Sequence, residues 1–222
     1  MHKILIGLLS AASACAAQAA VINIDLGNPS GDLGSDHTYS TGAGDVVASG
    51  YSAPNVDEDL WGKAGGGNEQ GLGLADDPTV PSQHEIYSPG APDGAFIQLN
   101  VSDLFGSVSA VDFFMNSTTA GEEWSVYGSN TDAAGEGDWL LSGNTEGSGN
   151  TFALPFFGQY DFYNFYSEGT NGETFGNVLI GGLTLTESVP EPATWAMMLL
   201  GFGAMGLAFR RRRTTVTLPQ LA

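Results

Sequence analysis

Carboxylates are the chemically versatile side chains that this 222-residue sequence holds in quantity: Asp and Glu number 25, against six Lys and Arg. Two chemistries follow from them. A pair of carboxylates flanking a sugar bond can act as acid and nucleophile, yet any acidic chain offers such pairs and no spacing here singles one out. Calcium is the better match, since it takes hard oxygen ligands from loops. Asp57, Asp59, Asp76, Asp77 and Glu85 lie in loop-like, Gly-rich stretches and are the candidate ligands. The EF-hand pattern is not met, because Trp61 stands where a polar ligand would precede Gly62. No resident cofactor is otherwise expected.

Other catalytic apparatus is missing. Nucleophilic catalysis needs a Ser or Cys beside a base. Beyond the first twenty residues the sequence offers only His37 and His84, no Cys, and no Gly-x-Ser-x-Gly elbow. Two histidines 47 residues apart lack the short-spaced partner of a zinc site, and both read as surface residues. A phosphate loop places lysine after its glycines, whereas Lys63 precedes Gly65–Gly67. A non-enzymatic body is the expectation. The aromatic residues Trp61, Trp124, Trp139 and Tyr87 could stack on sugar rings if exposed. Trp61, in an acidic stretch, is the best surface candidate, and core positions are expected for the rest.

The charge distribution narrows the partners. Residues 21–188 hold 24 acids and one lysine, Lys63. A surface so negative repels nucleic acid, and almost no cation exists to clamp a phosphate.

The elements that would carry these residues are strands. Between Val21 and Ser188 no helix-length stretch has a 3.6-residue apolar stripe. Short runs alternate with Gly, Asn, Asp, Ser and Pro. Candidate strands are residues 21–26, 45–51, 96–101, 108–116, 123–128, 139–142, 151–156, 160–166 and 177–186. About nine strands at short spacing predict an all-β, jelly-roll-like β-sandwich over residues 20–187. Outside the run at 45–51, Gly27–Ala95 is poor in strand signals and reads as a long loop excursion. No fixed-period repeat is visible, which argues against a propeller or β-helix.

The two ends read as targeting segments. Residues 1–19 have the form of a signal peptide: Lys3, an apolar run Ile4–Leu9, and Ala17-Gln18-Ala19 as a small-x-small cleavage site cut after Ala19. Cys15 lies within it, so the mature chain would have no disulfide. A lipid attachment at Cys15 would need a leucine three residues earlier, where Ala12 stands. Near the other end, Ala193–Phe209 is an apolar run followed by Arg210, Arg211, Arg212 and Arg213. Seventeen residues at about 1.5 Å each give about 25 Å, the short limit for a bilayer span. One transmembrane helix is expected here, with Trp195 at the interface and the arginines holding a short tail, residues 214–222, in the cytoplasm. Pro190 and Pro192 are expected to exclude helix and hold the preceding chain extended.

Val189-Pro190-Glu191-Pro192-Ala193-Thr194-Trp195-Ala196, the apolar stretch and Arg210–Arg213 together resemble the PEP-CTERM sorting signal in its Pro-Glu-Pro-x-x-Trp-Ala form, over residues 188–213. The resemblance implies an exported protein of a Gram-negative bacterium. It would pass transiently through the inner membrane, where an exosortase would recognise it, and go on to the cell surface or exopolysaccharide matrix. The sorting residues would be Pro190, Glu191, Pro192, Trp195 and Ala196, with the four arginines as the membrane stop. A second stretch, Asn68–Leu74 with Glu85-Ile86, Phe96–Leu99 and Trp124–Asn130, resembles a β-sandwich body of exported proteins with this signal, and implies no activity.

The functional expectation is therefore an exported surface or matrix protein, sorted and processed at its C-terminus, whose body binds extracellular polysaccharide or calcium. The alternative is a permanently anchored single-pass membrane protein with the same body as a binding module. An exported hydrolase using a carboxylate pair is the third reading.

Overall fold

The computed structural model describes residues 18–75, 83–87, 94–117, 121–135, 137–144, 150–170, 176–189 and 192–211. The chain forms two compact units: a body, Ala20–Ser188, and a second unit that holds the chain ends.

The body is all-β. Among the described residues it has fifteen strands: β1 (Val21–Asp25), β2 (Gly31–Gly34), β3 (Asp36–Thr41), β4 (Gly44–Ala53), β5 (Val56–Asp57), β6 (Leu60–Ala64), β7 (Gln70–Leu74), β8 (Ile86–Tyr87), β9 (Phe96–Asn100), β10 (Val108–Asn116), β11 (Glu122–Ser129), β12 (Asp138–Asn144), β13 (Thr151–Ala153), β14 (Phe162–Thr170) and β15 (Asn177–Glu187). They pair antiparallel into two sheets. One runs β13-β10-β15-β7-β6-β2, with β1 and β8 also on β15; the other runs β12-β11-β14-β9-β4-β3, with β5 on β4.

Period-two alternation explains the core. Each strand sends every second side chain to one face. Val111, Phe113 and Met115 of β10 and Ile180, Leu183 and Leu185 of β15 join Val46, Ile97, Trp124, Val126, Tyr163 and Phe165 of the other sheet in one apolar cluster. Phe113 meets the edges of Trp124 and Phe165 at 5.4 and 5.2 Å, and Trp124 meets Phe152 at 4.8 Å. Such edge-to-face pairs suit the ring quadrupoles. The buried phenols are anchored: Tyr39 donates to the carbonyl of Leu26 at 2.7 Å and Tyr163 to that of Pro155 at 3.0 Å. Burial pushes both phenols above their ordinary pKa.

The loop excursion expected over Gly27–Ala95 is replaced by ordered sheet: β2, β3, β5, β6, β7 and β8 all fall within it. Strand β7 gives the physical reason. Its Gln-Gly-Leu-Gly-Leu sequence lacks the β-branched and aromatic residues that mark a strand. Leu72 and Leu74 point into the core, while a Cβ at Gly71 or Gly73 would lie 2.7 Å from the carbonyl oxygen of Ile180 or 2.1 Å from that of His84. Backbone packs against both glycines, so the residues that look like a loop are what lets the strand be covered on its second face.

In the other unit, residues Pro192–Arg211 form helix α1. The expectation that Pro192 excludes helix is corrected, because Pro192 is the first helical residue. A proline at that position lacks only an N–H that would have no intrahelical partner, and its fixed φ suits the helix.

Candidate functional site

Helix α1 has no apolar side and polar side. Met198, Leu199, Leu200, Phe202, Met205, Leu207 and Phe209 are between 49 and 70% exposed. At 100° per residue these positions surround the axis. Gly201, Gly203 and Gly206 leave open space between them. A transmembrane span was expected here, and the structure corrects that expectation: among the described residues no helix is long and apolar enough to cross a membrane. The helix has twenty residues, but its last two are Arg210 and Arg211. The apolar part covers about 25 Å, less than the roughly 30 Å of a bilayer core.

Of the residues assigned to sorting, Ala196 and Arg210 are exposed on α1, and Pro192, Trp195 and Arg211 lie on its backbone. Pro190, Glu191, Arg212 and Arg213 lie outside the described residues, as do Ala17, Cys15 and the tail 214–222; Ala19 is exposed. The body's last strand ends at Glu187, and the N–H of Ser188 donates to the carbonyl of Ser107 at 2.8 Å. The motif thus begins where the body's hydrogen bonding stops.

The candidate calcium ligands do not form a group. Asp76 and Asp77 lie outside the described residues, and Asp57 and Asp59 are exposed. Glu85 is buried and accepts from Lys63 Nζ at 2.7 Å. Among the described residues no three His, Cys, Asp or Glu side chains are arranged to hold a metal.

Lys63 instead organises a buried acidic centre that the sequence reading did not foresee. Its ammonium pairs with Glu69 as well as Glu85. Nearby, Glu122 accepts from Ser117 and, at 3.0 Å, from the N–H of Asn177. Burial pushes the carboxyls of Glu85 and Glu122 up, against the hydrogen bonds and charge that pull them down. The available signal was that the body has a single cation for two dozen acids, which marks that cation as a buried partner.

Two open grooves mark the surface of the sheets. One, of about 380 Å³, is bordered by Asn23, Asp25, Gln70, Phe114, Asn116 and Gly181. Its polar groups are engaged with one another: Asn116 donates to the carbonyl of Gln70 at 2.6 Å, and Gln70 donates to Asp25. The other, of about 580 Å³, lies on β11, β12 and β14 and is bordered by Glu123, Tyr127, Trp139, Ser142 and Glu168. Here the aromatic expectations change. Trp61 sits in β6, half-buried and stacked on His84 at 4.0 Å, so neither is a free surface residue. Trp124 and Tyr87 are buried as expected, and Trp139 is 60% exposed. The edge position of β12 put Trp139 outside, and strand order cannot be read from local sequence.

An all-β body followed in sequence by an apolar helix that ends in arginines is the class of chain that the structure defines. Comparison with known families makes it specific. Residues 188–213 match the PEP-CTERM protein-sorting motif, so the chain carries that sorting signal. No curated protein and no solved structure matches the chain.

Proposed function

We propose that the protein is a non-enzymatic component of the cell surface or extracellular matrix of a Gram-negative bacterium, delivered there by an exosortase acting on its C-terminal signal. The observation that carries this reading is the coincidence of the sorting motif at 188–213 with helix α1. A helix apolar on all sides gains nothing from water, and lipid or an apolar protein channel is where its side chains lose least. Pro190 disfavours helix at itself and at Val189, and an extended chain is the form that a transpeptidase binds. Glu191 is a lone acid beside that boundary and gives a basic enzyme pocket something to read. The arginines add attraction to anionic lipid headgroups. The body itself acts by binding.

The test is sufficiency. Residues 188–222 are fused behind an exported reporter and expressed in two hosts, one with an exosortase and one without. The reporter is expected in the surface or medium fraction of the first host and in the membrane fraction of the second. The same distribution in both hosts would favour a plain anchor and overturn the proposal.

A further inference from the structure

One face of the second sheet carries a row of aromatic rings. Tyr51, Phe96 and Tyr166 stack across β4, β9 and β14 at centroid distances of 4.7 and 5.1 Å, and Tyr127 meets Tyr166 edge-on at 5.5 Å. The first three are buried, with Ala133 packed against them and Gly135 close to Tyr166 and Phe96. The row then emerges. Tyr127 is half-buried, and its cross-strand partner Trp139 on β12 is 60% exposed. Cross-strand partners share a face. The same pairing sets Ser125 opposite Ser142 and Glu123 opposite Asn144, and these positions border the groove of about 580 Å³.

The groove's charge is one-sided. Glu123 and Glu168 border it, and no Lys, Arg or His does among the described residues. Ser125 donates to Glu168, which fixes that carboxylate, and the charge of Glu168 helps to hold the Tyr127 phenol above its ordinary pKa after burial itself. Trp124 also borders the groove. It is fully buried, and its indole Nε1 has no hydrogen-bond partner among the described residues. A Cβ at Gly143, its cross-strand partner, would lie 2.5 Å from that indole ring, so glycine there gives the ring its room. An exposed indole set beside a fixed carboxylate is poorly explained by packing alone.

We propose that this groove binds a sugar chain bearing free amines, such as a run of glucosamine units. The Trp139 ring stacks on a sugar face, and Glu123 and Glu168 receive the ammonium groups, with the indole adding a cation–π attraction. An anionic polysaccharide is opposed by the body's own charge, 24 acids to one lysine. A neutral sugar would offer hydroxyls to the two carboxylates but no positive charge to match theirs. A flat ring beside a serine row suits a pyranose ring and its hydroxyls better than it suits an extended basic peptide. The site lies within the body and does not depend on how the C-terminus is processed.

The full chain, kept in detergent micelles, is titrated with chitosan hexamer by calorimetry at low salt. Binding is expected, and Trp139→Ala is expected to weaken it at least about tenfold, about 1.4 kcal/mol. The exposed position of Trp139 leaves the fold intact, which circular dichroism checks. Glu168→Gln with Glu123→Gln is expected to reduce both affinity and its salt dependence. The fully N-acetylated hexamer is expected to bind at least about tenfold more weakly than the amine form. The proposal is overturned by no binding of chitosan hexamer, by equal binding of the N-acetylated hexamer, by unchanged affinity in Trp139→Ala, or by a lysine-rich peptide that binds as tightly with the same dependence on Trp139.

Discussion

Replacing Pro190 and Glu191 together with alanine is expected to leave the protein in the membrane fraction and to empty the surface fraction. Two physical effects combine. Alanine at 190 removes the ring that fixes φ there and restricts Val189, so a site that binds an extended substrate meets a chain with more conformations to give up, while Pro192 continues to restrict residue 191. Alanine at 191 removes the charge that a basic pocket would read. Losing one partner of a buried, hydrogen-bonded charge pair costs about 2–5 kcal/mol. At about 1.4 kcal/mol per factor of ten, recognition falls roughly 30-fold or more. Fractionation and immunoblotting read the result. An unchanged surface fraction would mean that 190–191 are only a stiff joint between body and helix. Asp in place of Glu191, with Pro190 kept, separates the effects: it retains the charge and should retain a measurable part of the transfer.

The second large effect concerns stability. Lys63→Met is expected to destabilise the body by about 3–5 kcal/mol, the cost of leaving a buried carboxylate without its partner. Glu85 is 3% exposed and accepts from Lys63 Nζ at 2.7 Å. Glu69, the other partner, is more exposed, and Glu69→Gln should cost only about 0–1 kcal/mol. Adding Glu85→Gln to Lys63→Met should recover much of the loss, because the uncompensated charge is then gone. The pH dependence has a definite sign. Burial already raises the Glu85 carboxyl in the native protein, and loss of the lysine raises it further. A carboxyl raised in the folded state takes up its proton before the unfolded chain does. The deficit is therefore full above the folded-state pKa and shrinks as pH falls through it toward the unfolded value. Urea unfolding at pH 7 and at pH 5 measures this. A deficit equal at both, or smaller than that of Glu69→Gln, would remove Lys63 from the centre of the acidic cluster.

What could be read from the sequence followed local periodicity. The run Val108–Asn116 alternates and carries β-branched and aromatic residues, and it is a strand with those bounds. Strands β9 and β11 to β15 overlap the expected runs with shifted ends. The all-β class was legible for that reason, and the described body is two packed antiparallel sheets. Strand β7 was illegible because its strand character comes from neighbours. Only the backbone of Ile180 and His84, distant in sequence, explains why Gly71 and Gly73 are there. Strands β2 and β3 are mostly polar and hydrogen-bond in ladders with β6 and β4, a pairing that no local apolar pattern announces.

The candidate sites divide along the same line. The sorting signal is a linear motif, so order and spacing carry it, and the match at 188–213 coincides with the stretch expected. The surface sites depend on which face and which edge a strand occupies. Trp61 was the expected surface ring and Trp139 the expected core one; the sheet order, with β12 at an edge and β6 between β2 and β7, exposes Trp139 and packs Trp61 on His84. The helix end was misjudged at Pro192 for a local reason: proline is a barrier within a helix and a good beginning for one.

The most direct test of the sorting account is the intact mass of the protein recovered from the cell surface or medium. The account predicts a mature C-terminus upstream of α1, so that the recovered protein lacks Arg210–Arg213. A recovered population that mostly retains the four arginines would contradict it.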